Sequence, residues 1–201
     1  MAKGKAMPRV LIAVLALAVA APAEAEMYRG TETPNYKVER QVGGSELRDY
    51  GATVVAEVTV QGSRSGAANA GFRVLAGYIF GGNAAQEKIA MTTPVAQVPQ
   101  GDTPGTEWTV RFTLPAGSTL ATLPRPDDPR VRFLQTEARQ MLVTTFSGVP
   151  TESALEASLA SLKEDARSAG LTPIGPPEYM FYDPPWRMPW NRRNEVALPV
   201  Q

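Results

Sequence analysis

The chain has 201 residues, 43% hydrophobic and 20% charged, with 20 Lys+Arg against 20 Asp+Glu, so its formal net charge is zero and it has no basic surplus for nucleic-acid phosphates. It contains neither His nor Cys, which excludes a disulfide framework, a Cys/His zinc site, a His-dependent catalytic triad and a His- or Cys-ligated haem iron. The 17 Gly and 18 Pro make it rich in turns without reaching the composition of a disordered chain.

Lys3, Lys5 and Arg9 form a basic start, residues 10–21 are an uninterrupted apolar run, and Ala23-Glu24-Ala25 has small residues at the positions a signal peptidase reads. The run is too short to span a bilayer, which needs about 20 residues. Residues 1–25 therefore read as a cleaved signal peptide, with the product periplasmic or secreted and without a stable membrane anchor. Cleavage removes three cations and one carboxylate, leaving 17 positive and 19 negative side chains and a net charge near −2.

Residues 26–35 lack periodicity and read as a leader. Residues 36–42 alternate Tyr/Val with charged side chains, Gly43-Gly44 supplies a turn, and residues 53–60 (TVVAEVTV) form a β-branched strand. The period then changes. Phe72, Leu75, Ala76, Ile79 and Phe80 fall on one face of a helix starting near 67, which Gly81-Gly82-Asn83 ends. Residues 89–98 and 107–114 read as strands joined by a loop over 99–106. Residues 131–133 and 138–146 are extended, and 151–169 is the strongest helix, with Leu155, Leu159, Leu162 and Ala166 on one face. Ser153 with Glu156 has capping-box spacing there, and Thr151 is a competing N-cap. Residues 178–182 and 195–200 close the chain as strands.

The two halves, about 36–115 and 130–201, are in register. Their first strands start at 53 and 138, their helices at about 67 and 151, and their last strands at 107 and 195. The fold class is α+β: two strand-helix-strand-strand halves whose strands join into one distorted open β-barrel, with both helices packed on the sheet. Residues 36–201 form one domain.

Three stretches carry a family likeness: Gly81-Gly82-Asn83 followed by Ile89-Ala90-Met91-Thr92-Thr93-Pro94-Val95; Phe112-Thr113-Leu114-Pro115; and Tyr182-Asp183-Pro184-Pro185-Trp186 followed by Arg192-Arg193-Asn194-Glu195-Val196. The sequence resembles the SOUL/haem-binding protein family over residues 34–201. The resemblance implies a hydrophobic cleft for haem or a related porphyrin, walled by the first helix and a loop near the C-terminus. By position it puts Phe72, Leu75, Ala76 and Ile79 on the helix wall and Trp186, Arg187, Met188 and Trp190 on the loop. Some relatives carry a basic residue late on this helix, where this chain has Gly77. Arg73, one turn earlier, is the substitute propionate partner.

Each set also has a packing reading. The helix stripe suits a core, the tryptophans suit a lid over the barrel end, the methionines suit packing, and Arg192-Arg193 suits an ion pair holding the last strand. No Asp, Glu, Lys or Tyr pair compels an active site, though Glu137 or Glu178 could be tuned by an apolar cleft. The expected function is non-enzymatic binding of a tetrapyrrole or another flat hydrophobic small molecule. The alternatives are an effector-type lipophile binder and an envelope protein-interaction module.

Overall fold

A computed structural model describes residues 26–100 and 106–201; the expected signal peptide lies outside these residues, as does most of the expected 99–106 loop. Nine strands form one antiparallel sheet in the order β3-β4-β9-β11-β10-β6-β7-β5-β8. These are β3 (Tyr36–Val42), β4 (Ser45–Tyr50), β5 (Thr53–Gln61), β6 (Val95–Gln100), β7 (Glu107–Thr113), β8 (Arg132–Thr136), β9 (Arg139–Phe146), β10 (Glu178–Phe181) and β11 (Asn194–Pro199). The sheet curls into an open half-barrel. Helices α1 (Arg64–Ile79) and α2 (Glu152–Ser168) pack on it, α1 over β5 and β7, α2 over β9 and β11.

The halves are arranged as their sequences suggest, β5-β7-β6 against β9-β11-β10, meeting where β6 pairs with β10. One feature goes beyond a simple repeat. β8, just before β9 in the chain, pairs with β5, while β4, just before β5, pairs with β9. Each half thus closes the other half's outer edge. Periodicity cannot show this exchange, because it is a choice of partner and not of conformation.

Directly paired residues of an antiparallel ladder share a face, so the register identifies which residues lie under the helices. Ala56, Phe112, Val95, Phe181, Val196 and Leu142 face the helix side. There they build two cores, one under α1 with Leu75, Tyr78 and Ile79, the other under α2 with Leu155 and Leu162. The opposite face holds a third cluster of Met141, Val143, Met180, Tyr182 and Ala197.

Residues 26–35 are not an aperiodic leader. They form a hairpin, β1 (Glu26–Tyr28) with β2 (Thr31–Thr33), turned at Arg29 (φ 51°) and Gly30 (φ 82°), and Tyr28 packs on the third cluster. Strands of three residues are too short to show alternation, which is why the hairpin is invisible to pattern reading. β4 was missed for another reason: Arg48 and Leu47 are adjacent and both buried, which hides its period. β6 begins at Val95 and not near 89. Ile89 N is engaged by Ile79 O and Thr93 N by Glu32 O, so the preceding segment is bound to α1 and β2 instead of a sheet neighbour.

Ser63 caps α1 and Thr151 caps α2, through hydroxyls that accept from Gly66 N and Ala154 N. After α1, the buried Asn83 amide donates to Tyr78 O and Glu87 O, so the Gly-Gly-Asn motif closes the helix around one side chain. At Gly71 a β-carbon would lie 2.5 Å from Val110 Cγ2, so α1 rests on β7 at a contact only glycine permits. Gly71→Val should therefore lower stability by about 1–3 kcal/mol through overpacking. Gly77→Ala, on the same helix with open space around its β-carbon, should raise it by up to about 1 kcal/mol. Urea unfolding of the two variants reads both signs.

Candidate ligand-binding site

Helix α1 turns ~100° per residue, and its burial separates the expected wall residues. Leu75 and Ile79 point into the first core and are fully buried. Phe72 and Ala76 lie on one flank; Phe72 meets Phe112 edge-on, with ring centres 5.4 Å apart, and stays partly open to solvent. Arg73 projects from the side opposite the core, exposed, and its guanidinium has no partner among the described residues. The helix thus leaves Phe72 and Ala76 partly open, keeps Leu75 and Ile79 for the sheet, and turns Arg73 outward, unpaired among the described residues.

The loop between β10 and β11 carries the most exposed aromatic side chains of the described residues. Trp186 is 83% exposed, Trp190 69% and Met188 55%. Exposure here is not looseness. The Asp183 carboxylate, itself buried, accepts from Tyr28 Oη at 2.9 Å and Arg193 N at 2.8 Å, and pairs with Arg187 at 2.8 Å. Arg192 Nε donates to Arg187 O at 2.8 Å and its Nη2 to Pro185 O. A short 3-10 turn over Pro189–Asn191 finishes the loop. Arg187, expected among the ligand contacts, is thus engaged in holding the loop's shape.

Arg64 and the β9–α2 loop connect this loop to α1. Arg64, the first residue of α1, donates to Pro150 O at 2.9 Å, pairs with Glu152 at 2.9 Å and lies 5.6 Å from the centre of the Phe181 ring. Two residues before Pro150, Gly148 N donates to Pro189 O at 3.0 Å. Phe181 opens into the aromatic loop and pairs in register with Val95, and both are half-buried. On the helix side of the sheet, half-buried Val95 and Phe181 lie between the start of α1 and this loop, with the Arg64 guanidinium over the Phe181 ring.

The other face of the sheet carries ion pairs beside its apolar cluster. Glu57 pairs with Arg111 at 2.7 Å, and Glu178 takes Arg139 at 2.7 Å and Arg111 at 3.7 Å. Deeper still, Glu195 accepts from Arg48, Arg193, Tyr182 Oη and Thr145 Oγ1. Burial pushes the phenols of Tyr182 and Tyr50 up, and the Glu195 carboxylate adds to both shifts. Burial works against the charge on Arg48, yet Glu195 beside it keeps its pKa above the ordinary value. Glu178 is buried as the sequence suggested, but two guanidiniums occupy it, and Glu137 is exposed.

A cavity of about 50 Å³ lies among Tyr50, Arg111, Met141, Glu178 and Tyr182, room for one or two waters and well below the ~300 Å³ at which ligand pockets begin. A wider space of about 330 Å³ opens beside Glu32, Pro34, Thr92, Leu114 and Ser118. The ion pair expected of Arg192-Arg193 at the last strand is Arg193 with Glu195 at 2.6 Å; the sequence gives no sign that Arg48, Tyr182 and Thr145 converge on the same carboxylate. Tyr182, Asp183, Arg193 and Glu195 of the Tyr-Asp-Pro-Pro-Trp and Arg-Arg-Asn-Glu-Val stretches clamp the loop's base.

A model of the family described as SOUL heme-binding protein matches residues 31–199. The chain belongs to the SOUL haem-binding protein family. It is 29% identical to heme-binding protein 2 of the mouse (Mus musculus) over 190 residues, covering 88% of this chain and 89% of the mouse protein. Among solved structures, the C-terminal domain of EcmrR superposes with a TM-score of 0.62 at 11% identity, covering 83% of this chain and 98% of that domain. A hydrolase from Listeria innocua gives 0.56 at 15% identity, over 78% of this chain and 91% of that one. At such identities these are likenesses of fold alone. For a SOUL domain, the residues present fit the flat apolar body of a tetrapyrrole: Phe72, Trp186 and Trp190 are partly or largely open, and Arg73 is an unpaired cation for a carboxylate. They cannot supply imidazole or thiolate ligation of iron, since the sequence has no His or Cys.

Proposed function

We propose that this chain is an exported, non-enzymatic binding protein for haem or a related tetrapyrrole, which it holds by apolar burial between the flank of α1 and the aromatic loop. The observation that carries this reading is the display of Trp186 and Trp190 on a loop whose base is fixed by Asp183. Solvent-exposed indoles on a rigid frame lose little freedom when a planar ring stacks on them. Bound haem supplies a redox-active iron and two propionates. The chain supplies stacking faces, with Arg73 free to approach a carboxylate.

Apolar burial is sufficient in magnitude. A haem has about 43 heavy atoms, and ~0.3 kcal/mol per atom gives roughly −13 kcal/mol, whereas micromolar binding needs about −8. A strong axial ligand is therefore not required.

Two of the chain's three tryptophans are on the loop, so hemin titration is read by quenching of their emission. Saturable one-to-one quenching at micromolar hemin or below is expected, with a high-spin or solvent-ligated ferric spectrum in imidazole-free buffer. Quenching that never saturates would overturn the reading, and a low-spin spectrum would show ligation by Met or Lys.

Export is carried by the basic start, the apolar run and Ala23-Glu24-Ala25. Mass spectrometry of the envelope fraction should find Glu26 at the N-terminus; an intact Met1 in the cytosol would contradict it.

A further inference from the structure

We infer that the aromatic loop is also a shallow membrane-docking element, seating the domain reversibly on a bilayer surface that carries anionic headgroups. Trp186, Met188 and Trp190 protrude from this loop, and Val149, 52% exposed, protrudes from the neighbouring loop that Gly148 ties to Pro189. Exposure of several large apolar side chains on adjacent loops is unusual for a surface facing only water. An indole with an apolar body and one polar edge suits the boundary between headgroups and acyl chains.

The backbone distinguishes this tip from an ordinary apolar loop. An irregular segment is normally kept out of lipid because its N–H and C=O groups would lose water without gaining partners. Here Pro184, Pro185 and Pro189 have no N–H to lose. The carbonyls of Pro184, Pro185, Arg187, Met188, Pro189 and Asn191 all accept hydrogen bonds within the protein, from Arg187 N, Arg192, Asn191 N, Gly148 N and Arg29. Most of the polar groups that would oppose insertion are satisfied before contact.

Charge selects the kind of surface. Arg29, Arg187, Arg192 and Arg193 ring the loop's base against the buried carboxylates of Asp183 and Glu195, a local excess of two positive charges. The side chains of Arg29 and Arg187 are about 40% exposed, open enough to reach headgroup phosphates while keeping Asp183. This is docking without spanning: among the described residues no helix is long and apolar enough to cross a membrane. The inference rests on the loop's own geometry and not on the tetrapyrrole reading.

The test uses the full chain, because its reporters are local: Trp108 is buried, Trp186 and Trp190 are at the tip, and residues 1–25 contain no tryptophan. Vesicles of phosphatidylcholine with phosphatidylglycerol should shift the emission to the blue, and lipids brominated near the headgroup should quench it. Affinity should be about tenfold or more above that for phosphatidylcholine alone, as two guanidinium charges near an anionic surface provide. Met188→Asp, at an exposed position that leaves every tryptophan in place, should weaken vesicle binding at least tenfold with an unchanged melting temperature. Val149→Asp on the neighbouring loop is the second variant, should the first disturb folding. No blue shift, equal affinity for neutral and anionic vesicles, or wild-type binding by both folded variants would each overturn the inference. Hemin titration in vesicle-free buffer reads the tetrapyrrole proposal separately, so either can fail alone.

Discussion

Glu195→Gln should lower the melting temperature by roughly 6–20 °C, the equivalent of about 3–5 kcal/mol in a domain of this size. Glu195 is fully buried, and its carboxylate joins Arg48, Arg193, Tyr182 and Thr145. Two guanidiniums converge on it, and the Arg48 side chain is only 2% exposed. The amide keeps the size of the carboxylate but removes its charge, so Arg48 remains in the interior with Glu46 alone as ionic partner. Removing one partner of a buried pair costs more than the pair contributes, because the remaining charge has lost its hydration. Glu46→Gln is the matched control. Its carboxylate is one-third exposed, and its loss should cost no more than about 1 kcal/mol. Thermal unfolding of both variants measures the difference; equal small shifts would mean that water reaches Arg48 and the centre is not structural.

Trp186→Ala should weaken hemin binding by about 1–3 kcal/mol, roughly 5- to 150-fold, while the melting temperature stays within about 2 °C. An indole that is 83% exposed contributes little to folding, so a loss of affinity without a loss of stability reports ligand contact. Arg73→Ala should cost less, about 0.5 kcal/mol. Arg73 leaves α1 on the side away from the core, and in water a propionate pairs weakly with an exposed cation. If Trp186→Ala binds like wild type while folded, the tetrapyrrole does not stack on this loop. If Arg73→Ala is the larger effect, the ligand lies across the outer face of α1.

Both helices, the β5, β7 and β9 to β11 strands and the pairing of the halves were legible because each depends on a local period or its repetition. The Gly-Gly-Asn stop was legible as a helix end, though not as an asparagine cage. The β1–β2 hairpin and β4 were not, one for shortness and one because a buried Arg disguises an inward position. A helical stripe marks a face but not its borders. Leu75, Ile79, Phe72 and Ala76 share one apolar pattern, yet only the sheet's position decides that the first pair is core and the second flank. Likewise, the family resemblance places Arg187 among the ligand contacts. Asp183, four residues away, engages it only because Tyr28 and the Arg193 amide bring that carboxylate into the loop's base. Such roles arise from contacts between distant segments and have no local signature.

The central claim is that this domain binds a tetrapyrrole through its apolar surface and not through its metal. The most direct measurement compares hemin with iron-free protoporphyrin by quenching of loop tryptophan emission under identical conditions. The two affinities should agree within about tenfold, ~1.4 kcal/mol; protoporphyrin binding a hundredfold or more weaker would contradict the claim and place the binding energy on the iron.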